Sequence, residues 1–166
     1  MDSTQDTMDL VFVYGTLKTS QPNHNVLEKE IGKAEFVGNA RTVLQFPLVI
    51  RGKYNIPYLL NSPGRGHQIF GEVYRVDHAM LTTLDHFEGV PTHYQRRSIT
   101  VEMDDGPVLV EATHQGAHHL SKCYSYMTDT FSEEDLALPY IDKYDSNSTT
   151  SGLRYIRHHE RQSDGK

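Results

Sequence analysis

Glu88 closes the run Asp77-His78-Ala79-Met80-Leu81-Thr82-Thr83-Leu84-Asp85-His86-Phe87-Glu88-Gly89, and its type and spacing suit proton chemistry. Met80, Leu81, Leu84 and Phe87 recur at helical spacing, which predicts one apolar helix face. Asp77 suits an N-cap, Val76 before it a hydrophobic staple, Gly89 a C-cap, and Pro91 stops the run. Glu88 lies four residues after Leu84 and seven after Leu81. A helix that continues through Glu88 therefore turns a carboxylate inward, at the negative helix end and partly away from water. Both effects disfavour the ionised form and raise its pKa. A carboxyl with a pKa near neutrality takes and returns a proton efficiently. A helix that frays at Phe87 instead leaves Glu88 in solvent, and the spacing by itself favours that plainer placement. Asp85 is the rival carboxylate. It falls on the flank of the apolar stripe, where ion pairing or solvation is expected.

The second stretch with chemical content is Leu10-Val11-Phe12-Val13-Tyr14-Gly15-Thr16-Leu17, an apolar strand running into a glycine turn. Glycine permits close approach of the backbone. The N–H groups of Gly15, Thr16 and Leu17 could grip an anion as a nest does, or stabilise an oxyanion. Tyr14 is either a hydroxyl donor or a packed strand residue. Thr16 suits stabilising the turn. Cys123 falls in an expected strand with no base beside it and reads as a buried thiol. The adjacent pairs His118-His119 and His158-His159 are poorly spaced for one helix face, no HExxH occurs, and a lone cysteine builds no zinc pattern, so no metal is expected.

The elements that must position these groups are mostly short strands. Strands are expected over 10–14, 35–44 with a break at Gly38, 69–76, 96–103, 108–112 and 122–127. Residues 46–50 around Pro47 suggest an edge or irregular segment, and 51–68 a series of turns. Asp104-Asp105-Gly106 is a turn signal. A short helix is expected through Val26, Leu27 and Ile31, and Ser132 begins another that Pro139 limits. Many strands and few helices point to an α+β domain on a small curled or barrel-like mixed β-sheet with short flanking helices. Residues 1–9 read as a disordered N-terminus, 10–157 as one domain, and 158–166 as a polar tail.

The 166 residues carry 16 basic and 22 acidic side chains, a formal charge of −6, which argues against a nucleic-acid surface. The polar, acidic start MDSTQDTMD is not a signal peptide, and no apolar run reaches membrane length. A soluble cytoplasmic monomer is expected. The Asn147-Ser148-Thr149 pattern then reads as chance.

In order along the chain, Val11-Phe12-Val13-Tyr14-Gly15-Thr16-Leu17, Gln21-Pro22-Asn23-His24, Tyr54-Asn55-Ile56-Pro57-Tyr58-Leu59-Leu60, Gly71-Glu72-Val73-Tyr74, Leu84-Asp85-His86-Phe87-Glu88-Gly89, Tyr144-Asp145-Ser146 and Gly152-Leu153-Arg154-Tyr155 resemble the gamma-glutamylcyclotransferase superfamily, nearest its AIG2-like, gamma-glutamylamine branch. The resemblance covers about residues 10–157. It implies a partly closed mixed sheet and release of 5-oxoproline from a small gamma-glutamyl substrate. In that branch the substrate is an isopeptide to the lysine side-chain amine. It implies Glu88 as the catalytic acid/base and the Tyr14-Gly15-Thr16-Leu17 turn as pocket lining, with Ile56, Pro57 and Tyr58 as further walls. No cofactor, nucleic acid or membrane is implied. Tyr58 stands where the branch has a tryptophan, and Gly89-Val90-Pro91 departs from its pattern; both changes bear on the fit of the leaving amine. A cyclotransferase for gamma-glutamyl amino acids, and a non-catalytic binding protein on the same fold, are the alternatives.

Overall fold

A computed structural model describes residues 8–104, 119–146, 155–157 and 160–161. The strands are β1 (Asp9–Val13), β2 (Ala34–Thr42), β3 (Leu48–Arg51), β4 (Ile56–Leu59), β5 (Phe70–Val76), β6 (Gln95–Met103) and β7 (Leu120–Met127). Helix α1 spans His78–Glu88 and helix α2 spans Glu133–Leu136. Five strands close a barrel in the order β1-β5-β2-β6-β7. Its pairs are antiparallel except the seam, where β1 meets β7 in parallel at Val11 and Tyr124. Closure leaves the barrel no free edge. A β3-β4 hairpin lies outside it, paired from Leu48 with Leu59 to Arg51 with Ile56.

Val11, Phe12 and Val13 of β1 are buried on both faces of the strand, which explains the apolar run that follows Asp9. Phe12 packs in one cluster with Ala40, Val73, Ile99, Val101 and Cys123. Its neighbours Val11 and Val13 point the other way, as strand alternation requires, and join Met80, Leu81, Leu84, Tyr94 and Tyr126. The second cluster fixes α1 against the end of β1 and so sets the distance between the helix and the glycine turn.

The expected barrel-like mixed sheet with short helices is present. The break at Gly38 is a register shift in β2 between Phe36 and Gly38. Local details differ. The segment 51–68 holds β4 as well as turns, because Ile56–Leu59 pair with β3 in a hairpin, Pro57 opposite Ile50. Of residues 46–50, read as an edge or irregular segment, 48–50 belong to β3, which runs on to Arg51 as one of two strands in its sheet. The helix expected through Ile31 is a short 3-10 turn, His24–Glu28, and Ile31 is exposed. Val26 and Leu27 alone anchor that turn. The strand expected at 108–112 and the turn beyond Asp104 lie outside the described residues.

Candidate active site

α1 is built as its sequence requires. The Asp77 side chain accepts from the Met80 N–H at 2.9 Å and from the Lys33 N–H at 3.0 Å. Met80, Leu81 and Leu84 are buried. Gly89 ends the helix at φ 69°, a left-handed conformation that glycine adopts without strain. The helix therefore does run through Glu88. Phe87 is the departure: it is not core but half-exposed at the rim of a pocket.

That pocket has a volume of about 180 Å³. Tyr14, Gly15, Thr16, Leu17, Ile56, Pro57 and Glu88 all line it. Glu88 retains some surface exposure through the opening, yet its carboxyl sits deep among packed walls. It makes no hydrogen bond or ion pair with another described residue. Burial alone raises its pKa from about 4.5 to about 8. Asp85, one turn away, has two partners. Arg96 donates to it at 2.6 Å and the Tyr126 hydroxyl at 2.7 Å.

The glycine turn faces Glu88 across the pocket. A Cβ at Gly15 would sit 3.0 Å from Pro57 Cγ, a tight contact, so glycine lets the turn pack closely against β4. The Lys18 N–H donates to Gly15 O at 3.1 Å, and Lys18 Nζ donates to Tyr144 O at 2.6 Å, fastening the loop from behind. Asn23 clamps it again: its N–H donates to Thr16 O at 2.8 Å and its Nδ2 to Thr16 Oγ1 at 3.0 Å. The N–H groups of Gly15, Thr16 and Leu17 find no acceptor among the described residues. Thr16 thus stabilises the turn through its side chain while its N–H remains available. The Tyr14 hydroxyl is spent on Tyr126 O at 2.6 Å, and burial, then the nearby Glu88 charge, holds its pKa well above the usual value.

Residues 11–146 match the family described as "Gamma-glutamyl cyclotransferase, AIG2-like". The chain belongs to this family. A gamma-glutamylaminecyclotransferase of Bos taurus is 47% identical over 93% of this chain and 85% of that protein. Its Homo sapiens counterpart is 46% identical over 89% of this chain and 96% of its own length. The crystal structure of an AIG2-like protein from Mus musculus superposes with a TM-score of 0.82 at 44% identity, covering 93% of this chain and 99% of that one.

Within this cyclotransferase-family pocket, one expected wall is displaced. Tyr58 lies a layer behind the surface rather than on it. Its ring stacks on Tyr94 at 5.3 Å, Arg51 lies over its other side at 4.0 Å, and its hydroxyl meets His93 Nε2 at 3.2 Å. Tyr94 and His93 form the lining in its place. Burial and then the Arg51 charge lower the pKa of His93. Asn23, Tyr126, Tyr155 and Arg161 also line it and were not singled out as site residues by their sequence. Asn23 and Tyr155 carried a signal, in the stretches Gln21-Pro22-Asn23-His24 and Gly152-Leu153-Arg154-Tyr155. Cys123 is buried with its thiol pKa raised to about 12, an inert group. Among the described residues no three His, Cys, Asp or Glu side chains converge as metal ligands, and no helix is long and apolar enough to cross a membrane.

Proposed function

We propose that this chain is a gamma-glutamylamine cyclotransferase that converts gamma-glutamyl-ε-lysine into 5-oxoproline and free lysine. The observation that carries the reading is the partnerless, buried Glu88 carboxyl facing the three open N–H groups of Gly15–Leu17. The names of relatives that match along most of the chain support the choice of leaving group. The substrate is a small gamma-glutamyl compound, and the protein acts as a cytoplasmic monomer.

The substrate brings its own nucleophile, the α-amine of the glutamyl group. Its nitrogen attacks the γ-carbonyl carbon and closes a five-membered lactam. The pocket's first contribution is to hold that folded shape, which replaces a costly ordering step. The Gly15–Leu17 N–H groups hold the glutamyl α-carboxylate, and Ile56 and Pro57 confine the chain carbons. Glu88, ionised, takes one proton from the substrate ammonium and frees the amine to attack; the nitrogen's second proton passes to water as the lactam N–H forms. The bond from carbon to the lysine nitrogen then breaks, and Glu88 returns the same proton to that nitrogen, which leaves as a neutral amine. One carboxyl with a pKa near 8 suits both transfers, since it neither holds nor releases the proton too strongly. The steps need no metal and no covalent bond to the protein.

The test is product formation from gamma-glutamyl-ε-lysine by the purified protein, following 5-oxoproline and lysine together. Equal amounts of both are expected. Turnover of gamma-glutamyl amino acids with none of the isopeptide would overturn the assigned leaving group.

A further inference from the structure

Arg161 comes from the far end of the chain, yet it lines the same pocket as Glu88 and the glycine turn. Among the described lining residues it is the permanent cation. Its guanidinium is held in a defined place. Nε donates to Ile156 O at 3.0 Å, one terminal nitrogen donates to the Tyr155 hydroxyl at 3.2 Å, and the group lies 4.3 Å over the Tyr54 ring. The Ile156 N–H in turn donates to Tyr54 O at 3.0 Å, docking the segment on the body of the protein. Glu160 beside it accepts from the Arg157 N–H at 2.9 Å.

The Tyr155 hydroxyl also accepts from Asn23 Nδ2 at 3.1 Å, and that same amide donates to Thr16 Oγ1. Arg161, Tyr155, Asn23 and Thr16 are thus one hydrogen-bonded chain ending in the anion-binding turn. The cation belongs to the side of the pocket where three N–H groups already wait for negative charge. It does not serve Glu88: a guanidinium close to that carboxyl would pull its pKa down, and burial is the sole influence on it. A planar guanidinium offers paired donors that match a carboxylate. Every gamma-glutamyl substrate carries a carboxylate on its α-carbon.

We propose that Arg161 is a substrate-binding residue that grips the glutamyl α-carboxylate together with the Gly15–Leu17 N–H groups, so that docking of the C-terminal segment completes the site. This rests on the cyclotransferase reading above and adds to it the residue that recognises the acyl half of the substrate. A residue that merely clips the tail in place would not distinguish a carboxylate from its amide; Arg161 does.

The experiment compares the full-length wild type with Arg161→Met, Arg161→Lys and Tyr155→Phe. The substrates are gamma-glutamyl-ε-lysine, its analogue with the glutamyl α-carboxylate converted to an amide, and a gamma-glutamyl alkylamine whose leaving group has no carboxylate. Arg161→Met is expected to raise KM about 10-fold to 100-fold for both substrates that keep the glutamyl carboxylate, with kcat nearly unchanged, as for loss of a charge-assisted hydrogen bond. The amide analogue is poor for the wild type and no poorer for the variant. Arg161→Lys recovers part of the loss, and Tyr155→Phe shows a smaller loss in the same direction. A loss confined to the lysine substrate would put Arg161 on the leaving group and overturn the proposal. An equal loss with the amide analogue, or no loss at all, would overturn it too. Calorimetric titration with 5-oxoproline and with its amide separates this from the parent reading. If the wild type turns nothing over, the cyclotransferase reading fails, while weaker binding of 5-oxoproline alone by Arg161→Met still upholds the carboxylate site, and equal binding sinks it.

Discussion

Asp85 and Glu88 stand one turn apart on the same helix, and the regions around them treat a carboxylate in opposite ways. Around Asp85 the barrel supplies Arg96 from β6 and Tyr126 from β7, so the negative charge is paired on both oxygens. Around Glu88 it supplies packed walls and, among the described residues, no partner, so the negative charge is penalised. Helix sequence distinguishes the two only by angle around the axis. What separates the paired carboxylate from the unpaired one here is the neighbours that other strands bring.

The largest expected effect removes the unpaired carboxyl. Glu88→Gln keeps the shape and loses the proton shuttle, and kcat in the isopeptide assay falls about 10²-fold to 10⁴-fold. The same contrast predicts the pH profile. Glu88 must be ionised to accept a proton, so kcat/KM rises with pH through the pKa near 8 and then falls as the substrate ammonium itself deprotonates. A rising limb near pH 4 in a steady-state series would place the essential carboxyl in an ordinary solvated site, as if the two regions did not differ.

Asp85→Asn breaks the paired region instead. Urea unfolding is expected to show a loss of about 1–2 kcal/mol, because Arg96 and Tyr126 lose a charged acceptor that is itself partly exposed. Turnover persists, and its abolition would give Asp85 the role assigned to Glu88. Stability reverses sign at Glu88. Its folded pKa lies above its ordinary value, so the folded state binds more protons than the unfolded state between about pH 4.5 and 8. Ionisation of Glu88 therefore destabilises the fold progressively as pH rises through that window. Glu88→Gln should match the wild type near pH 4.5 and exceed it by about 1–2 kcal/mol at pH 8, discounting for water in the pocket. A series of thermal melts across pH checks this; a constant difference would contradict it. The smallest effect belongs to Tyr58→Phe, which removes the hydroxyl contact with His93 behind the lining. A loss of about 0.5–1 kcal/mol is expected, with KM changed little.

Much of the site's frame was legible because it is local. Capping by Asp77, the stop at Gly89 and the apolar stripe Met80-Leu81-Leu84 follow from helix rules applied to neighbouring residues. The apolar run before Tyr14-Gly15-Thr16-Leu17 likewise reads directly as a buried strand and turn. The capping box at Ser132 and Asp135 is present as expected for α2. Less legible was whatever depends on a partner distant in sequence. Phe87 fits the helix stripe by periodicity, but the pocket opens where it points. Tyr58 has the composition of a wall, yet Tyr94 and His93 from the segment before β6 lie in front of it. β4 hides among turn residues because its pairing with β3, not its own pattern, makes it a strand.

The sequence by itself determined helix α1 and its caps, the carboxylate at its end and the glycine turn after β1, since each rests on interactions within a few residues. The tertiary structure alone decided which carboxylate goes unpaired, how far its pKa rises, and that a tail read as polar and loose brings Arg161 to the pocket. The physical reason is that desolvation and charge pairing depend on what fills the surrounding space. Here that space is filled by β4, β7 and the C-terminal segment, all far along the chain from the residues they act on.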